Sequence, residues 1–178
     1  IICVCLYRNG VVNLMSEVNG LKITMFGKLS ISYNNITLSD ESGRIKKVWT
    51  LIEYLLANKG RTLSQEKLFE VLWHDEECDN PTGALKNLVY RARNVLKTLK
   101  LPDDIDLIVF IRNTYVWNEK IPCEIDTEIF ADLCAKSKSS TYSTDERIGF
   151  CCSAIDLYKG EFLPKSSYED WVVASSAY

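Results

Sequence analysis

The stretch Pro81 to Lys100, PTGALKNLVYRARNVLKTLK, constrains the fold more than any other part of the chain. Leu85, Leu88, Val89, Ala92, Leu96 and Leu99 recur at three- and four-residue steps. That spacing puts them on one face of a helix and requires a core for the face to sink into. Asn80 is suited to cap the first turn, and Pro81 to take the first helical position. The other face carries Lys86, Asn87, Tyr90, Arg91, Arg93, Asn94 and Lys97. Five basic residues and no acidic one lie between Pro81 and Lys100, in a chain of formal net charge -3. A helix with one apolar face and one basic, amide-bearing, aromatic face has the chemistry to lie in a DNA major groove. Lys and Arg neutralise phosphates, while Asn, Tyr and Arg meet base edges. A solvated helix face is the plain alternative, since Lys and Arg are common on surfaces.

Composition narrows the function classes. With 178 residues, 47% of them hydrophobic and 25% charged, the chain can bury a core and suits one or two domains. It begins with Ile1, which suggests a piece of a longer protein. No run of about 18 apolar residues argues for a membrane span. Residues 1–7, IICVCLY, lack the basic start and cleavage site of a signal peptide. The seven cysteines stand at 3, 5, 78, 123, 134, 151 and 152, an odd count without a CxxC pair, and His74 is the single histidine. Neither a disulfide framework nor a zinc site fits that set. Free thiols in a reducing cytoplasm, with no metal and no cofactor, are the expectation. No Gly-rich phosphate loop, nucleophile elbow or paired-carboxylate pattern is present, and His74 reads as a loop histidine, so a non-enzymatic protein is expected. Charge is uneven: residues 21–120 hold 15 Lys/Arg against 13 Asp/Glu, and residues 121–178 hold 5 against 10. Two modules follow from this, and only the first suits a polyanion.

Taken in order, residues 1–15 read as a hairpin about Asn9-Gly10, either the end of a preceding domain or a strand pair added to the next one. Leu21 to Leu38 alternates as a short antiparallel meander. Gly43 to Asn58 predicts a helix burying Ile45, Val48, Trp49, Ile52, Leu55 and Leu56, with Gly60 just past its end. Ser64 caps a shorter helix running to about Trp73. The acidic loop HDEECDN, residues 74–80, leads into the basic helix. Strands LIVFI (Leu107 to Ile111) and TYVW (Thr114 to Trp117) follow, with Arg112-Asn113 at the tip. Strands, three helices and a hairpin in that order predict an α+β winged helix-turn-helix over residues 21–120, with an N-terminal antiparallel sheet and a C-terminal hairpin wing. Arg112 at the wing tip reaches an adjacent groove or its phosphates.

Residues 121–178 turn helical. Asp126 to Ser137 predicts a helix burying Ile129, Phe130, Leu133 and Cys134. Ser143 and Glu146 have capping-box spacing and open a helix expected to turn Ile148, Cys151, Cys152, Ile155 and Tyr158 inward. A third helix starts in YEDWVVASSAY, so the segment looks like the opening of an α-helical, TPR-like array. Trp49, Trp73, Trp117 and Trp171 read as core.

At these residues the chain resembles a known family. GRIKKVWTLIEYLLANKGRTLSQEKLFEVLW, from Gly43, resembles the first two helices of the OmpR-type winged helix, in the version of the Streptomyces antibiotic regulatory proteins. ALKNLVYRARNVLKTL resembles that family's recognition helix, with Arg91 and Arg93 on its R-x-R element. IRNTYVW resembles its wing, with Tyr115 on the usual tyrosine, although the family's wings carry glycines where Asn113 and Thr114 stand. IDTEIFADL and LYKGEFLP…YEDWV resemble the bacterial transcriptional activator domain, a TPR-like module. The resemblance covers residues 21–178. It implies a cytoplasmic, signal-responsive transcription regulator whose partners are double-stranded DNA, RNA polymerase and a second copy of itself through the helical module.

The expected DNA-binding residues are Lys86, Asn87, Tyr90, Arg91, Arg93, Asn94, Lys97 and Arg112. Asn87 and Asn94 lie opposite the apolar stripe and point deepest, while Arg93 lies to one side, where pairing with an acid within 103–106 is the alternative. Lys46, Lys47 and Thr62 are further phosphate candidates or a solvated face. By the resemblance, Asp75, Glu76, Glu77 and Asp79 stand where related regulators meet RNA polymerase; an acidic loop without a role is the alternative. A rival for the whole is a protein-interaction module, a degenerate winged helix that docks an acidic partner instead of DNA.

Overall fold

The protein is described here by a computed structural model that covers residues 20–40, 45–74, 76 and 78–176. The hairpin expected over residues 1–15 lies outside these residues. Leu21–Thr24 (β1) alternates, burying Leu21 and Ile23 and exposing Lys22 and Thr24. Ser30–Tyr33 (β2) and Ile36–Ser39 (β3) complete the expected meander, with Ile31 paired to Ile23 on one side and Leu38 on the other. Then come Lys46–Ala57 (α1), the two-residue strand Leu63–Ser64 (β4), Gln65–Leu72 (α2) and Pro81–Lys97 (α3). Ile108–Ile111 (β5) and Thr114–Trp117 (β6) form the wing. The caps are those the sequence suggests: the Ser64 side chain accepts from Lys67 N–H and that of Asn80 from Gly83 N–H.

Two strands carry no signal in the sequence pattern. β4 pairs with β6, giving a sheet of order β4-β6-β5 that ties the start of α2 to the wing. Cys123–Ile125 (β7) pairs in parallel with β1, so the first sheet has the order β3-β2-β1-β7. The chain thus returns to its N-terminal sheet before turning helical.

Helix α1 is the centre of the core. Every residue from Val48 to Leu56 is buried, including Thr50 and Glu53. An ordinary surface helix keeps one wet face; α1 lacks one because α3 packs on one side and residues 162–173 cover another. Tyr54 meets Trp171 edge-on at 5.1 Å between ring centroids.

The C-terminal helices are Asp126–Lys138 (α4), Thr144–Leu157 (α5) and Asp170–Ser176 (α6), with a 3₁₀ turn at Pro164–Ser166. Asp126 anchors them. Its buried carboxylate accepts hydrogen bonds from Met25 and Phe26 N–H at 2.9–3.0 Å, capping the end of β1. Phe26 packs against Phe130 and Tyr158. Gly27 has φ +77°, and a Cβ there would lie 2.8 Å from the Lys159 carbonyl oxygen, so the chain crosses where only glycine fits.

The Ser143–Glu146 capping box is present, but the expected inward face of α5 is corrected. Ile148, Cys151, Cys152, Ile155 and Tyr158 are exposed, Ile155 to 71%. Ala154 is buried, and Phe150 and Leu157 are half-buried on the side that packs against α4. Its apolar residues spread over more than half of the helix circumference, so periodicity alone does not choose which part of that arc faces inward. On α4, Ile129 is exposed, and Phe130, Leu133 and Cys134 are half-buried rather than buried. Burial pushes the Cys123 thiol up to about 11. Native-state alkylation at pH 8 is therefore expected to label Cys151 and Cys152 well before Cys123, since the thiolate is the nucleophile. Peptide mapping of a time course checks this, and equal rates would contradict the burial.

Glu53 is 2% exposed and accepts a 2.5 Å hydrogen bond from Ser166 Oγ. Burial raises its pKa most, the Ser166 hydrogen bond lowers it, Asp40 and Glu169 raise it, and Lys165, ion-paired to Asp40, lowers it, so that the carboxyl titrates at about 7. The folded pKa lies above the unfolded one, so the stabilisation from the protonated form is complete below the unfolded value near 4.5 and is lost as pH rises to about 7. Glu53→Gln is expected to flatten the stability profile between those limits. At pH 8 it should be the more stable form by on the order of 3 kcal/mol. Urea unfolding at pH 5 and 8 checks this, and parallel profiles for the two proteins would refute it.

Candidate nucleic-acid interface

Helix α3 buries Leu85, Leu88, Val89, Ala92 and Leu96, the stripe read from the sequence, and Leu99 just beyond it is also buried. The opposite face therefore points away from the domain. Lys86, Asn87, Arg91, Asn94 and Lys97 are exposed, and Tyr90 is 64% exposed. A phenol ring that open, flanked by cations and amides, is an unusual outcome for a Tyr on a packed helix.

The ion pairs of the described residues lie elsewhere. They include Lys47 with Glu76, Lys59 with Glu128, Lys67 with Glu70, Lys136 with Asp132 and Lys165 with Asp40. Lys86, Arg91, Lys97 and Arg112 have no acidic partner among the described residues. A protein with excess acid that leaves these cations unneutralised keeps a local positive field available to a polyanion.

The wing tip sits on a tight hairpin. β5 and β6 pair in register from Ile108↔Trp117 to Ile111↔Thr114, leaving Arg112 and Asn113 as a two-residue turn with φ 48° and 67°. Positive φ at both positions is the turn that matches strand twist, and it normally selects Asn or Gly. Asn113 fits this preference and Arg112 does not. Asn113 Oδ1 also accepts a hydrogen bond of 2.5 Å from Gln65 Nε2 on α2, fastening the tip to the helix-turn-helix. Arg112 remains exposed. Phe110 and Ile111 are exposed beside it, at 44% and 49%. Sequence reading missed Gln65, Phe110 and Ile111. Gln65 shows no periodic signal, and the wing strand gives no hint of which face is wet.

Other candidates are engaged differently. Arg93 is half-buried, and its Nε and Nη2 donate to the Ile108 carbonyl oxygen at 2.9 and 2.7 Å rather than to an acid in 103–106. Lys47 pairs with Glu76 and lies 4.9 Å from the Trp73 ring centroid, while Lys46 lies over Tyr168. Thr62 is exposed. In the acidic loop Glu76 is thus partly neutralised and Asp79 is exposed; Asp75 and Glu77 lie outside the described residues. Among the described residues no group of three or more His, Cys, Asp or Glu side chains is arranged to hold a metal. No helix there is long and apolar enough to cross a membrane.

A helix-turn-helix whose outer helix stands beside a hairpin wing, behind a sheet built on an N-terminal antiparallel meander, defines the winged-helix class. Residues 44–114 match the family model described as transcriptional regulatory protein, C terminal. The fold is similar to that of Mycobacterium tuberculosis EmbR, in a structure with a low-affinity phosphopeptide, at a TM-score of 0.64 and 16% identity. That similarity covers 88% of this chain and 40% of the EmbR chain, so this chain spans less than half of the structure it resembles. No curated protein matches the sequence.

A left-handed backbone disfavours an arginine relative to an asparagine. Arg112→Asn is expected to raise stability by about 1 kcal/mol, seen as a higher urea midpoint at unchanged slope. A lower midpoint would mean that the arginine side chain itself supports the turn.

Proposed function

We propose that the chain is the DNA-binding part of a transcription regulator related to the Streptomyces antibiotic regulatory proteins. In this reading α3 reads the major groove and the wing contacts the adjacent groove or its backbone. Residues 121–178 begin an activator-type helical module that regulates or oligomerises it. The observation that carries the proposal is the outer face of α3. Its cations are unpaired, its Asn87, Tyr90 and Asn94 side chains are exposed, and no described element covers it. Arg91, Lys86 and Lys97 would meet phosphates, Asn87 and Asn94 base edges, and Arg112 the backbone beside the wing. The match of residues 44–114 to a transcriptional-regulator domain supports the same reading.

Gel retardation with a random-sequence duplex at low salt tests it. Binding near micromolar protein is expected, as for sequence-independent phosphate contact. Arg91→Ala should weaken binding and reduce the slope of log K against log salt by about 0.9 per lost phosphate contact. A full slope in the variant would remove Arg91 from the backbone contacts. Failure of the wild-type chain to retard any duplex would favour the degenerate winged helix that docks an acidic protein.

A further inference from the structure

We infer that Arg93 is a positioning residue: it sets the wing's place beside the recognition helix and does not itself touch DNA. The inference rests on the DNA-binding reading and concerns how the two contact elements of that site are held together. Helix α3 and the wing are not packed against each other along their length. A cleft of about 1120 Å³ lies between the end of α3 and β5–β6, lined among others by Leu96, Lys97, Val109 and Val116. β5 is also the outer strand of its sheet, paired only to β6. Such an edge leaves carbonyl groups open, while the other edge of the hairpin is held by β4, with Leu63 opposite Tyr115 and Ser64 opposite Thr114.

One side chain crosses the gap from α3, and a second holds the wing tip from α2. Arg93, from the flank of α3, places Nε and Nη2 on the same Ile108 carbonyl oxygen, at the root of β5. Gln65, from the start of α2, holds Asn113 at the tip. One brace acts at each end of the hairpin, and each begins on the helix-turn-helix. The guanidinium suits the first task because its two N–H groups converge on one acceptor in a fixed fork, whereas an ammonium offers one rotating donor at a time. Arg91, two residues earlier, is exposed, and its side chain donates to no described residue. The two arginines of R-A-R therefore have different tasks: Arg91 faces outward, and Arg93 holds the wing so that Arg112 arrives in register.

A double-mutant cycle separates positioning from contact. The full chain and a random-sequence 30-base-pair duplex at low salt serve as the system. Arg93→Ala should weaken binding about tenfold, and the loss should shrink to less than about twofold when Arg112→Ala is already present, because the two act through one element. Arg93→Lys, which keeps the charge, should fall nearly as far as Arg93→Ala. Without DNA, amide hydrogen exchange across residues 108–117 should quicken in the Arg93→Lys protein while that of α3 is unchanged. An undiminished loss in the Arg112→Ala background, full rescue by lysine, or unchanged exchange in the wing would each overturn the assignment. If Arg93→Ala does not fold, the lysine variant carries the test alone. Wild-type chain that binds no duplex would sink the DNA-binding reading; a wild-type chain that binds while Arg93→Lys matches it would sink only this inference.

Discussion

The burial of α1 from Val48 to Leu56 underlies everything else in the structure. Val48, Leu51, Ile52, Leu55 and Leu56 are each at most 2% exposed, and burying side chains of this size contributes about 1.5–3 kcal/mol apiece. One side of the helix provides the surface into which the apolar stripe of α3 sinks. Another receives Trp171 and the Ser166 turn. Because both partners press on one rod, the outer face of α3 and the C-terminal helices are fixed relative to each other. Glu53 marks the cost of this arrangement: a helix wrapped on all sides has nowhere wet to put its carboxyl.

The outer face of α3 follows by exclusion. Its apolar residues are committed to the core, so Lys86, Asn87, Arg91, Asn94 and Lys97 stand outside, while Arg93 turns to the wing. The ion pairs found among the described residues draw on lysines of α1, α2, α4 and the loops around them, which leaves Lys86, Arg91, Lys97 and Arg112 available. In an otherwise acidic chain this concentrates positive potential on one element, where steering of a polyanion is strongest at low ionic strength. Arg112 and Asn113 extend that surface on a hairpin whose left-handed turn is itself mildly unfavourable for arginine.

Features set by consecutive residues are legible in the sequence. The apolar spacing of α3, the Ser64, Asn80 and Ser143 caps and the Arg112-Asn113 turn are local devices, each set within about one helical turn or one hairpin. The three-stranded meander belongs with them, since alternation in Leu21–Thr24 records a half-buried strand directly. The outward face of α3 was legible for the same reason: once a stripe is apolar, its opposite is known.

The tertiary structure decided where several partners compete for one group. Asp126 meets Met25 across 101 positions, and Glu53 meets Ser166 across 113. β7 joins β1 only because the chain returns after the wing. Arg93 had acids close by in sequence and took a carbonyl of the wing instead, because the fold brings that oxygen within reach of two of its N–H groups. On α5 the apolar residues cover a wide arc, so that Ala154 is inside and Ile155 outside was settled by packing against α4. Sequence by itself determined the helices, the meander, the wing, the caps and the solvent-facing side of α3, because these depend on neighbours within one turn or one hairpin. Only the folded chain decided which distant groups pair, because that depends on which surfaces the core brings together.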